Sequence, residues 1–259
     1  MTESTELRPR RTRRKVSVLG VVGELLVTVG VVLLLYVAWQ MWIGDAIYGA
    51  ERNASGQALS QQWELDYETP SASASATAEP TPEPTETGSV ATPVKMSEPA
   101  DAERFAVMRI PRFGDDYAVE MAGGITRART LDTIGIGHYP GTDMPGDIGN
   151  FAVAAHRTTW GKPFNRIADL HVGDAIVVET KQGWYTYRFR TLEYVKPSQV
   201  DVLLAVPQQV GVEATEGYLT MTSCSPMYAM TERIVAYSVF ESFTPRADGK
   251  PASLTEAAA

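Results

Sequence analysis

One cysteine, Cys224, and three histidines, His138, His156 and His171, are the residues of this 259-residue chain most able to do covalent chemistry. A thiol attacks a carbonyl only as the thiolate, so it needs a base or a cation beside it. Cys224 ends the strand-like run Tyr218-Leu219-Thr220-Met221-Thr222 and precedes Ser225-Pro226, a turn signal. A residue at a strand tip is held rigidly yet can be reached. A lone cysteine can equally be a small buried hydrophobe. The hydroxyls of Thr220, Thr222, Ser223 and Ser225 favour the chemical reading, because they would surround the sulfur with donors. His138 lies in the loop Gly135-Ile136-Gly137-His138-Tyr139-Pro140-Gly141, and His171 in the turn His171-Val172-Gly173-Asp174. His156 instead follows the apolar run Phe151 to Ala155 and so stands at a strand end, as Cys224 does. Two strand ends on one rim can meet, which makes His156 the candidate partner. Acyl transfer also needs a donor for the developing oxyanion. Arg233 opens the next strand-like run, and antiparallel pairing would return it to the rim where Cys224 sits. An arginine there is often only a solvated edge charge, so its role depends on that of Cys224.

These positions require strands to hold them. Residues 105–110, 117–121, 151–155, 174–180, 184–190, 218–222 and 233–240 read as short strands rich in apolar, β-branched and aromatic residues. Gln182-Gly183 marks a hairpin turn between two of them. Helical signal is confined to short pieces near 125–133 and 163–170. Many short strands within some 140 residues predict a mainly β sandwich or closed barrel, and closure would remove exposed edges.

Everything before this domain has a different composition. Residues 1–15 carry a basic cluster at Arg8, Arg10, Arg11, Arg13, Arg14 and Lys15. Residues 16–43 are apolar apart from Glu24 and a few small or polar residues, long enough to cross a hydrocarbon core of about 20 helical residues. The run is too long for the apolar core of a signal peptide, and Trp39, Trp42 and Tyr48 follow where an interfacial aromatic belt would lie. A single-pass anchor with its basic end in the cytoplasm puts the rest of the chain outside the cell. Residues 44–68 read as a juxtamembrane segment that could form a short helix. Residues 69–101, rich in Pro, Ser, Thr, Ala and Glu, bury too little apolar surface to order themselves and read as a stalk. The catalytic domain is then expected at 102–244, folding without the stalk, and residues 245–259 as a disordered tail. A net charge of −8 excludes the basic patch that a nucleic-acid partner would need. One cysteine excludes an intramolecular disulfide and a Cys-rich zinc site.

Three segments in order carry a family resemblance. Leu219-Thr220-Met221-Thr222-Ser223-Cys224 resembles the Thr-Leu-x-Thr-Cys signature of sortases, with Met221 for Leu and Ser223 for Thr. Phe151 to Arg157, with Gly161-Lys162-Pro163-Phe164 downstream, resembles the sortase histidine segment. Glu232-Arg233-Ile234-Val235 resembles the segment carrying the family's arginine. The anchor with Gly23-Glu24-Leu25-Leu26, and Gly137 to Gly141, are similar to actinobacterial class E sortases. The resemblance implies an eight-stranded barrel and a cysteine transpeptidase with His156, Cys224 and Arg233 at its centre. Tyr139, in a Gly- and Pro-rich loop where a side chain either projects over a groove or packs the loop onto the barrel, and Thr220, Thr222 and Ser223 beside Cys224 are the expected substrate contacts. The expected substrates are secreted proteins with a C-terminal LAxTG-like sorting signal, and the expected acceptor is an amine of a lipid II-type wall precursor or a pilin. No metal or cofactor is required by this scheme. The rival readings are a cell-surface cysteine protease that gives the acyl group to water, and a non-catalytic surface binding module.

Overall fold

Inward and outward side chains alternate along each strand, and the inward set makes one core. The computed structural model describes residues 17–68 and 91–255. The basic cluster at 8–15 and most of the Pro-rich tract, residues 69–90, lie outside the described residues, as does the side chain of Trp42. Eight strands close into a barrel in the order β1-β2-β3-β4-β7-β8-β6-β5. They are β1 (Arg104–Arg109), β2 (Val119–Gly123), β3 (Ile136–His138), β4 (Gly149–Ala155), β5 (Ala175–Glu179), β6 (Gly183–Val195), β7 (Gly217–Ser225) and β8 (Glu232–Pro245). Neighbours run antiparallel except β2 with β3 and β4 with β7, which are parallel. The interior is filled by Met108 of β1, Met121 of β2, Phe151 and Val153 of β4, Tyr185 and Tyr187 of β6, Leu219 and Met221 of β7, and Ile234 of β8.

The barrel is closed and eight-stranded, as the sequence implied, with two local differences. β3 has only three residues and was expected as loop. Its Gly137 lets the chain before it pass close, for a Cβ there would sit 2.3 Å from the Gly124 carbonyl oxygen. The helical pieces expected near 125–133 and 163–170 shrink to a π-helical turn, Arg127–Leu131, and a 3-10 turn, Ile167–Asp169.

α1 (Val18–Ala38) buries none of its side chains and is long and apolar enough to cross a membrane. With the π-helical turn Trp39–Gly44 it belongs to one compact unit, and residues from Asp45 onward form the second. Within that second unit α2 (Asp45–Glu68) lies along the barrel. Its buried residues are Arg52, Gly56, Ser60 and Trp63, a single stripe at helical spacing. Trp63 packs on Val107 and Ala118, and the Ser60 hydroxyl donates to Glu179 Oε1 at 2.6 Å. Tyr48, expected in an aromatic belt, packs against Trp160 with ring centroids 5.7 Å apart.

Two further segments assigned by composition to solvent touch the barrel instead. Ala91 packs against the core, Val94 accepts a hydrogen bond from the Tyr185 hydroxyl at 2.7 Å, and Asp101 bridges to Gly123. After β8, Arg246 is buried, donates to Glu179 Oε1 at 3.1 Å and stacks on Trp184. Ser253 bonds to Thr186, and Leu254 packs beside Trp184. Residues 246–255 are therefore ordered. An arginine for a buried carboxylate and one apolar contact suffice to fix them, and tail composition conceals both.

Candidate active site

Strand register sets the geometry. Cys224 of β7 is the direct antiparallel partner of Arg233 of β8, so their side chains leave the sheet on the same face. Leu219 and Met221 of β7 point into the core. The alternate residues Thr220, Thr222 and Cys224 therefore lie on the outer face. In β4 the inward residues are Phe151, Val153 and Ala155, which puts Ala152, Ala154 and His156 on that same outer face. β4 pairs with β7 in parallel, ending at Ala154 with Thr222. His156 follows the end of β4, and the register continued by two residues would bring it level with Cys224. Adjacent strands are about 4.8 Å apart, so His156, Cys224 and Arg233 form one row across three neighbouring strands.

Each member of the row is held differently. Cys224 is partly exposed. Its carbonyl accepts a hydrogen bond from the Arg157 guanidinium at 3.5 Å, and that arginine is itself buried. Arg233 is partly exposed, and its guanidinium donates to the carbonyls of Met230 and Glu232 within its own turn. His156 pairs through Nε2 with Asp132 Oδ1 at 2.6 Å, with the two side chains 13% and 16% exposed. Asp132 went unnoticed in the sequence because no motif surrounds it; it closes the turn after Arg127–Leu131. An imidazole fixed by a carboxylate and level with a thiol can take a proton from it and return that proton to a leaving amine.

The other two histidines are elsewhere. His138 is fully buried, stacked on Phe151 at 5.4 Å, with Nε2 3.0 Å from the Thr142 hydroxyl and 3.1 Å from the Asp143 carbonyl. Burial pushes its pKa down, only partly opposed by the Asp143 carbonyl. His171 is exposed in the turn before β5, where Asp174 accepts from its amide.

The outer face of β4 and β7 is covered on two sides. Tyr139, partly buried, meets the Thr222 hydroxyl at 2.9 Å. On the β6–β7 connection, the carbonyls of Val202 and Leu204 accept from the Asn150 amide at 3.0 and 2.9 Å. Thr220 and Thr222 are buried beneath these segments. Ser223 is also buried and donates to the Ala155 carbonyl at 2.7 Å, tying β7 to β4. Of the residues expected to touch substrate, Tyr139 alone is partly exposed. Among the described residues, no three or more His, Cys, Asp or Glu side chains group as metal ligands do.

The family model of the sortase domain matches residues 108–241. Sortase SrtE1 of Streptomyces coelicolor is 31% identical over 255 residues, a match covering 96% of this chain and 64% of that relative. The chain thus spans less than two thirds of that relative's length. The crystal structure of Sortase E1 from Streptomyces coelicolor, with a tripeptide in its active site, aligns with a TM-score of 0.56 at 36% identity, over 60% of this chain and 99% of that one. SrtA sortase from Actinomyces oris aligns with a TM-score of 0.60 at 30% identity, over 65% and 96% of the two chains. With its barrel, its motifs in order and these relatives, the chain belongs to the sortase family, alongside the class E sortases.

Proposed function

We propose that this chain is a membrane-anchored cysteine transpeptidase that acts outside the cell on LAxTG-like sorting signals. The observation that carries the reading is the row of His156, Cys224 and Arg233 on one outer face, in a chain of the sortase family. The Cys224 thiolate attacks the carbonyl carbon of the signal's Thr. The Thr–Gly amide bond breaks, and the departing amine takes its proton from the His156 imidazolium, leaving a thioester on Cys224. An incoming amine then loses a proton to His156 and attacks the thioester. A new amide forms and the thiolate is released. Arg233 turns from the carbonyls of its own turn to those of the substrate, where its charge stabilises the oxyanion.

The acceptor is an amine of a lipid II-type wall precursor or a pilin lysine, and α1 holds the enzyme at the membrane where either is made available. Tyr139, its hydroxyl on that of buried Thr222, bounds the substrate site beside Cys224, while Ser223 ties β7 to β4. Mass spectrometry tests this reading: the full chain in detergent is incubated with a Leu-Ala-x-Thr-Gly peptide and an added amine. The amide of the Leu-Ala-x-Thr fragment with that amine is expected. The free acid alone would instead make the protein a protease, and an intact peptide would end the reading.

A further inference from the structure

Asp132 precedes β3, and its main chain is fixed at both ends. Its amide donates to the Arg127 carbonyl at 2.7 Å, and its carbonyl accepts from the Arg52 guanidinium of α2 at 2.6 Å. The same guanidinium donates through Nε to the Trp160 carbonyl at 2.7 Å. Trp160 lies in the connection that leaves β4 just after His156. Arg52, itself buried, therefore ties together the segments carrying Asp132 and Trp160. α2 is seated closely there: a Cβ on Gly161 would lie 3.1 Å from the Gly49 amide nitrogen.

We propose that Asp132 is the positioning residue for His156, and that Arg52 of α2 holds Asp132 in place for this task. The inference rests on His156 and Cys224 being the reacting pair. With Nε2–H directed at the carboxylate, the neutral ring is held in one tautomer, and Nδ1 is the nitrogen left for the thiol. The carboxylate also stabilises the imidazolium that accompanies the thiolate, without taking up the proton itself. Asp132 touches neither the sulfur nor the substrate; it acts through the ring. Arg127 also reaches Asp132 Oδ1, at 3.5 Å, but its side chain is 67% exposed and screened by water. Among the described residues, Arg52 bonds to the Asp132 carbonyl, Glu51, Glu120 and Arg104 line the same cavity as Asp132, and Arg157 and Arg233 lie beside Cys224.

Two readouts on the full chain in detergent test this without peptide turnover. The first is the imidazole nitrogen spectrum of 15N-histidine-labelled protein. A proton on Nε2 of His156 is expected, and a ring whose one proton is on Nδ1 would overturn the proposal. This measurement is made on the unaltered chain, so it decides even if a variant fails to fold. The second is the rate of Cys224 alkylation by iodoacetamide as a function of pH. Asp132→Asn should slow alkylation near pH 7 on the order of tenfold, because less of the thiol is held as thiolate. Asp132→Glu should restore part of that rate, and Arg52→Ala should give a smaller loss in the same direction. A wild-type profile in Asp132→Asn would remove Asp132 from the role, and a wild-type profile in Arg52→Ala would remove Arg52. A chain that passes both readouts yet fails to join peptide to amine would contradict the transpeptidase reading alone.

Discussion

In the proposed mechanism Cys224 and His156 act as nucleophile and base. His156→Ala should then slow iodoacetamide alkylation of Cys224; an unchanged rate in that variant would remove His156 from the pair. Specificity is also set at this scale. The Tyr139 hydroxyl meets that of Thr222 beside the row, and we propose that its ring narrows the space for the second residue of the sorting signal. A small Ala would then fit there and a kinked Pro would not. One side chain's worth of pocket shape discriminates by about 1–3 kcal/mol, so Tyr139→Ala should shrink a tens-fold kcat/KM preference for Leu-Ala-x-Thr-Gly over Leu-Pro-x-Thr-Gly. If both rates fall together and the ratio holds, Tyr139 supports its loop and selects nothing. The row itself was legible in the sequence because each member stands at the end or start of a strand-like run and inside a family motif. Asp132 was not legible. Its partner is 24 residues away, and a carboxylate closing a polar turn looks the same whether it faces water or an imidazole.

Among the elements, α2 is the one whose packing the sequence concealed. Its contact stripe is Arg52, Gly56, Ser60 and Trp63, with one apolar side chain in four, so no amphipathic pattern marks it. It is held by polar contacts and by the closeness that Gly56 permits. A Cβ at Gly56 would lie 2.2 Å from the Ala118 carbonyl oxygen. Gly→Ala inside a helix ordinarily stabilises by about 1 kcal/mol. Here a clash with backbone should reverse the sign, and Gly56→Ala should lower stability by about 1–3 kcal/mol in denaturant unfolding. A stabilised variant would mean that α2 does not dock. The Ser60 contact adds a pH dependence. Burial pushes the Glu179 carboxyl up, but hydrogen bonds from Ser60, Arg109 and Arg246, with the Arg109 charge, outweigh it and hold the pKa below its ordinary 4.5. A depressed carboxyl adds stability that is complete above the unfolded value and is lost as pH falls through the folded one. The thermal midpoint should therefore drop steeply below about pH 4.5, and Glu179→Gln should flatten that drop. β3 escaped notice for a different reason: with glycines at 135 and 137 in the segment 135–138, it lacks strand composition and is a strand by its pairing with β2 and β4.

At the scale of the whole molecule, the folded unit begins well before the first strand. Removing everything before Asp45 takes away α1 and its π-helical turn and leaves every contact of α2 with the barrel. Such a chain should give a cooperative thermal transition. Starting at Ala102 instead removes Trp63, the Ser60–Glu179 bond, the Arg52 bonds and the Tyr185–Val94 bond. Loss of one buried Trp alone costs about 3–5 kcal/mol, so the shorter chain should melt about 10 °C lower or more, and its Cys224 should alkylate more slowly. Equal melting of the two chains would show that α2 and residues 91–101 contribute nothing to the fold. That Cys224 carries the acyl group is tested by the intact mass of the full chain quenched during turnover of a Leu-Ala-x-Thr-Gly peptide. A protein heavier by the Leu-Ala-x-Thr acyl group at Cys224 is expected, discharged by added amine and absent from Cys224→Ala. Peptide cleaved at an undiminished rate by Cys224→Ala, with no adduct on the wild-type chain, would contradict it.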